Sequence, residues 1–172
     1  MLGHSNVKRK NGGDNELLHY HLQPTFRNGR IIMNIFRIIL GKKHIFFDDC
    51  LKNNFVGVDY GMDENFANEL VENWKDFNKK FIPVYLSKFP ESSKVSAGLA
   101  CGAIHTLAKY IKQGDIILSP DGKGKYYAGK VMGDYHYVES TEKQFLRHRR
   151  NVDWFDNTLD KDDMSIPLKN SM

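Results

Sequence analysis

In the stretch DIILSPDGKGKYYAGKVMGDYHYV, residues 115–138, the pattern drops from a helical period to one of two, in short segments separated by Gly-rich turns. A period of two sends successive side chains to opposite faces, so the stretch predicts strands rather than a helix. DIILS is one strand. The Gly-rich SPDGKGK is a turn, with Gly122 and Gly124 free to take positive φ, and YYAGKV is the next strand. A tight turn at Met132–Gly133 then leads into DYHYV. Beyond the loop STEKQFLRHRR comes a last strand, NVDWF.

Upstream, NIFRIIL (34–40) reads as a strand, GKKHIFFDDCLKNN (41–54) as a loop and short helix, and FVGVDY (55–60) as a second strand. Phe66, Leu70, Trp74, Phe77 and Phe81 recur at spacings of four, four, three and four, which predicts one apolar helical stripe. Pro83 and Pro90 bracket the end of that helix and a short YLSKF segment. A second helix spans roughly 96–112, with Leu99, Ala103, Leu107 and Ile111 on one face. Its small residues Ala97, Gly98, Ala100 and Gly102 permit close packing. Two strands, two helices and then four strands in a meander predict an α+β domain. Short late strands with Gly-rich turns favour a small, curved or barrel-like sheet flanked by helices.

Residues 1–32 show no sustained period and are rich in Gly, Asn, His and Lys. They are expected to be a disordered leader, either an expression remnant or an upstream misreading of the start. The domain is expected over 33–155, followed by an acidic tail or linker over 156–172 that carries Asp156, Asp160, Asp162 and Asp163.

The chain has 172 residues, enough for one real core, and its charged content of 27% is that of a globular protein. The net charge of +4 is a mild basic bias, and residues 1–30 alone hold +3 of it. Any charged binding face must therefore come from local clustering. Cys50 and Cys101 are the only cysteines, with no CxxC pair. With no secretory signal, this predicts reduced thiols in the cytoplasm. No apolar run reaches the roughly 18 residues of a membrane span.

Catalytic motifs are lacking. There is no GxGxxG or GxxxxGK[ST] phosphate loop, no HExxH and no GxSxG. DGKGK lies between two strands rather than before a helix. The seven histidines have no recognised zinc spacing. Asp48–Asp49 at a helix start reads as a cap. No catalytic residue, metal or cofactor is expected. What remains is aromatic and cationic. Tyr135 and Tyr137 are two apart on one strand and share a face, and Trp154 lies on the next. Arg147, His148, Arg149 and Arg150 form an RHRR run whose guanidinium forks suit phosphate oxygens and stack on bases. Lys42 and Lys43 offer a second charged rim, if both loops lie at one end of the sheet. The bland alternatives are packing for the aromatics and a solvated loop for RHRR.

The order NIFRIILG, NNFVGVDYG, GDIILSP, YYAGKVMGDYHYV and HRRNVDW resembles the amino-terminal reader domain of Mrr-like and McrB-like modification-dependent restriction systems, a group that belongs with PUA-like, EVE and YTH domains. The resemblance covers about Met33 to Phe155 and implies a small β-barrel flanked by helices. It also implies an aromatic-lined pocket for one flipped, often methylated, base. Flipping costs a few kcal/mol of unstacking, which ring stacking and edge hydrogen bonds offset. The implied base contacts are Gly41, Asp59, Tyr60, Tyr135, Tyr137 and Trp154. Asp59 and Tyr60 stand where relatives often place a tryptophan. Trp154 is either a pocket wall or a core residue. The implied phosphate contacts are Lys42, Lys43, Arg147, His148, Arg149 and Arg150.

The expected function is thus a non-enzymatic nucleic-acid-binding module that recognises a flipped, modified base in double-stranded DNA. It would act as the specificity part of a restriction or defence system, beside a nuclease or AAA+ motor, with no membrane partner. The competing readings are a PUA-like RNA-binding module and a nuclease with a divergent acidic site at Asp48, Asp49, Asp59 or Asp63.

Overall fold

A computed structural model describes residues 21–22 (backbone only), 33–142 and 145–163. The fold is mixed α+β, a curled half-barrel sheet with helices against it. Its strands are β1 (His21–Leu22), β2 (Ile35–Arg37), β3 (Phe55–Val58), β4 (Ile116–Pro120), β5 (Lys125–Val131), β6 (His136–Tyr137) and β7 (His148–Asp160). The helices are α1 (Phe47–Lys52), α2 (Trp74–Lys88) and α3 (Lys94–His105), the last continued by a π turn over Thr106–Tyr110. The strand order is β1-β2-β4-β5-β7-β3, with β6 also on β7. Among the described residues only the β2–β4 pair is parallel.

The β4–β5 hairpin forms as the alternation predicts, and Gly122 and Gly124 take φ of 77° and 101° in its turn. Asp121 completes the turn by accepting from Lys123 N and Lys125 N. The meander then breaks. Met132–Gly133 does not join β5 to a paired β6; β6 pairs with β7 instead. Met132 N donates to Asn151 O and Gly133 O accepts from Arg150, so β7 has already claimed that turn. Strand β7 also outruns its expected end. It continues past Phe155 to Asp160, so the first part of the expected acidic tail belongs to the sheet, paired with β5. Within the expected leader, His21–Leu22 pairs with β2, and the rest of 1–32 lies outside the described residues, as does 164–172.

The first long helix starts later than the apolar stripe predicts. Asn73 caps it, accepting from Lys75 N at 2.9 Å, and residues 59–73 are irregular. Phe66 keeps its core role without helix, its ring 5.3 Å from that of Phe77 and 4.7 Å from that of Phe81. Trp74, expected inside the stripe, is 47% exposed at the helix start. Pro83 does not end α2. It sits on the exposed side, where a missing backbone donor is tolerated, and the helix runs on through YLSK.

The second helix falls close to its expected span, capped by Ser93, which accepts from Ser96 N. Ala97, Ala100 and Ala103 are buried, whereas Leu99 is an exposed member of the expected face. The core gathers Phe36, Ile38, Val56, Val58, Met62, Phe66, Phe77, Ile104, Leu107, Ile117 and Val152.

One buried carboxylate orders the start of β4. Asp115 accepts from Asn34 N, Asn34 Nδ2 and Lys112 N. That gives the GD before the apolar strand a structural reason: the aspartate staples β4 to the residue preceding β2.

Candidate functional site

Antiparallel pairing sets Val58 opposite His148 and Gly57 opposite Arg149. The end of β3 therefore meets the start of β7, and residues 88 positions apart become neighbours. Asp59 forms an ion pair with Arg147, Nη1 to Oδ2 at 2.5 Å, and its other oxygen accepts from Gly61 N. Tyr60 follows with φ of 56°, half-buried against the core, where burial raises its hydroxyl pKa. Asp59, Tyr60 and RHRR thus share one end of the sheet.

The individual side chains divide sharply. Arg150 is 2% exposed and spends its donors on backbone: Nε to Leu107 O, Nη2 to Ala108 O and Nη1 to Gly133 O. It caps the π turn, whose carbonyls would otherwise be stranded. Arg147 is also buried, with Nη2 donating to Ser140 O and Glu142 O. His148 is fully buried. Its Nε2–H donates to Met62 O at 2.7 Å, a group that only accepts, and its bare Nδ1 accepts from Tyr135 O–H at 2.9 Å. Burial holds its pKa below the ordinary value, so the ring is the neutral Nε2–H tautomer.

The predicted aromatic walls surround this histidine rather than an open space. The Phe66 ring stacks on His148 at 5.1 Å, Tyr137 lies at 5.4 Å and Tyr135 at 6.0 Å. Both tyrosine hydroxyls are engaged. Tyr135 accepts from Phe66 N while donating to His148, and Tyr137 donates to Asp63 O at 2.5 Å. Burial pushes the Tyr135 hydroxyl up to about 12. The structure corrects the expectation here: His148, Arg147 and Arg150 are interior ties, and Tyr135 and Tyr137 are their packing partners. Trp154 resolves toward the core. Its Nε1 donates to Cys50 O at 3.2 Å, and a Cβ on Gly129 would stand 2.8 Å from its ring.

Lys42 and Lys43 do not join RHRR. Their loop turns at Gly41, where φ is 79° and the Phe46 ring fills the place of a Cβ, 2.5 Å away. Its His44 covers Gly122 in the β4–β5 turn, 2.6 Å from where a Cβ would be. That turn lies at the Asp160 end of β7, since Lys125 pairs with Asp160. RHRR is at the other end, so the expected single basic mouth does not form.

The acidic alternative is likewise dispersed. Asp59 is held by Arg147, Asp63 by Lys88 and Asp49 by Asn53. Among the described residues, no group of three His, Cys, Asp or Glu side chains is placed to hold a metal ion. Burial pushes the Cys50 and Cys101 thiols up to about 12 and about 11, away from nucleophilic thiolates.

Arg149 differs from its neighbours. It faces the opposite side of the sheet from His148 and Arg150, on the face shared with Phe55 and Gly57 of β3. A Cβ on Gly57 would stand 2.7 Å from His148 O and 3.3 Å from Arg149 Cγ, so the glycine makes room for the arginine stem. The guanidinium carbon lies 3.9 Å from the Phe55 ring centre and 4.5 Å from that of Phe145. Its Nε donates to Leu146 O at 2.5 Å. Desolvation lowers its pKa, against the attraction of Asp49 nearby, but an arginine there stays charged.

A family model described as "Domain of unknown function (DUF8426)" matches residues 36–172. The chain belongs to the DUF8426 family. No curated protein and no solved structure matches it. The DUF8426 span opens at β2, next to the Asn34 that Asp115 holds, and takes in both β3 and β7. Among the described residues no helix is long and apolar enough to cross a membrane.

Two features escaped the sequence reading. The Tyr135–His148–Met62 chain joins residues far apart in sequence and has no linear signature. The cradle of Arg149 does leave a trace, since Phe145 lies four residues before it, but Phe55 is identified only by strand pairing.

Proposed function

We propose that this DUF8426 domain is a nucleic-acid-binding module of PUA-like type that recognises a flipped, modified base, and that it serves as the specificity part of a restriction or defence system. The observation that carries the reading is the meeting of Asp59 and Tyr60 with the RHRR segment at one end of the β3–β7 pair. A ring, a carboxylate acceptor and the one open guanidinium of that segment, Arg149, are the chemistry a base and its phosphate require. The curled sheet with flanking helices is compatible with the architecture that the sequence resemblance implies. The base contact narrows to Tyr60 as the stacking ring and Asp59 as the acceptor for an exocyclic amino group. Asp59 retains lone pairs beyond those used by Arg147 and Gly61.

The test is a binding panel of duplex oligonucleotides that differ in one base modification, at fixed salt, with matched RNA hairpins and an added-magnesium arm. A modified duplex should bind more tightly than its unmodified twin. Tyr60→Ala should erase that preference while leaving charge-driven binding largely intact. Equal affinity for every duplex, a preference for the hairpins, or strand cleavage would overturn the reading.

A further inference from the structure

Three arginines stand within four positions, and their guanidinium groups meet different fates. The forks of Arg147 and Arg150 are occupied by Asp59 and by five backbone carbonyls. Arg149 donates only through Nε among the described residues, so nothing there engages Nη1 or Nη2. Two rings and that one bond fix the plane of the guanidinium. A half-buried cation with four unused N–H groups is costly on its own and gains most from an oxyanion that accepts two parallel N–H bonds at once. Its side-chain entropy has already been spent in folding, which favours binding.

We infer that Arg149 is a preformed anion-binding residue whose free edge grips one phosphate of a nucleic-acid backbone, with Phe145 as its positioning residue. The phosphate source rests on the nucleic-acid reading above; the anion site itself does not. The grip is independent of base identity, because a guanidinium fork on a phosphate touches no base edge.

Two measurements on the full chain separate these levels. In the first, inorganic phosphate is titrated while the arginine Nε–Hε signals are followed by two-dimensional NMR. A saturable shift at Arg149, with Arg147 and Arg150 unmoved, is expected; its absence overturns the inference. In the second, duplex binding is followed against salt. Arg149→Ala should reduce the slope of log K on log salt by about one. It should weaken modified and unmodified duplexes alike, by roughly tenfold. Arg149→Lys should restore the slope but not the affinity, since an ammonium lacks the fork. Phe145→Leu should keep the slope and lose affinity several-fold. Wild-type slope and affinity in Arg149→Ala would overturn the inference. A phosphate shift at Arg149 in a protein that binds no oligonucleotide would confirm the anion site and sink the nucleic-acid reading.

Discussion

The two halves of β7 were built by different physics. From His148 to Val152 the strand has neighbours on both edges, β3 on one and then β6 and β5 on the other. Its inward side chains are His148, Arg150 and Val152; the arginine is satisfied by backbone carbonyls and the histidine by a carbonyl and the Tyr135 hydroxyl. From Asp153 to Asp160 it pairs with β5, and among the described residues no strand takes its other edge. Phe155 and Leu159 are 45% exposed there. A register shift between Tyr127 and Gly129 interrupts this outer half, between Trp154 and Thr158. Polar residues therefore hold the first half, while ladder hydrogen bonds alone carry much of the second. Burying charge makes a segment specific and intolerant of change; exposure makes the same strand forgiving.

Removing the interior cation should break this contrast most severely. Arg150→Ala strands three carbonyls and empties a core volume, so a loss of about 3–5 kcal/mol is expected in urea unfolding. A milder cut is Tyr135→Phe, which deprives the Phe66 amide of its acceptor and His148 of its donor. Its expected cost is about 1–3 kcal/mol by the same assay. A loss under half a kcal/mol would show that the tyrosine ring, not its hydroxyl, matters.

Acid should act on the interior too. Burial depresses the pKa of both His148 and His105 in the folded state. The unfolded chain then binds protons that the folded chain refuses, so stability rises with pH. It should be fully present above the ordinary histidine value of 6.5 and decline as pH falls from there toward the folded values. The decline can reach about 1.4 kcal/mol per pH unit for each histidine. Unfolding midpoints at pH 7.5 and 5.5 check this, and an unchanged midpoint would mean that both rings already accept the proton when folded. Smallest of all, Leu159→Ala in the outer half should shift stability by no more than about 0.5 kcal/mol.

Much of the sheet was legible in the residues. The β4–β5 hairpin follows from two short strand-like segments around a Gly-rich turn, and the second helix from its small and apolar positions. Local rules misjudged the start of the first helix. Phe66 keeps the helical spacing, yet its amide is spent on Tyr135, and Asn73 offers a better cap downstream. The RHRR run was legible as a concentration of charge but not as four different roles. Strand alternation predicts that neighbours face opposite ways, but not which face is covered.

By itself the sequence determined the α+β class, the order of strands and helices from β2 to β7, and the closeness in chain position of Arg147, His148, Arg149 and Arg150. These depend on periodicity and turn chemistry, which act over a few residues. Only the tertiary structure decided that β6 joins β7, that Tyr135 and Tyr137 enclose a neutral histidine, and that the loop of Lys42 and Lys43 lies toward the end of β7 away from Arg149. The reason is that burial and pairing are set by chain segments brought together from afar. A charged side chain becomes an interior tie or an open hand according to what those distant segments place around it.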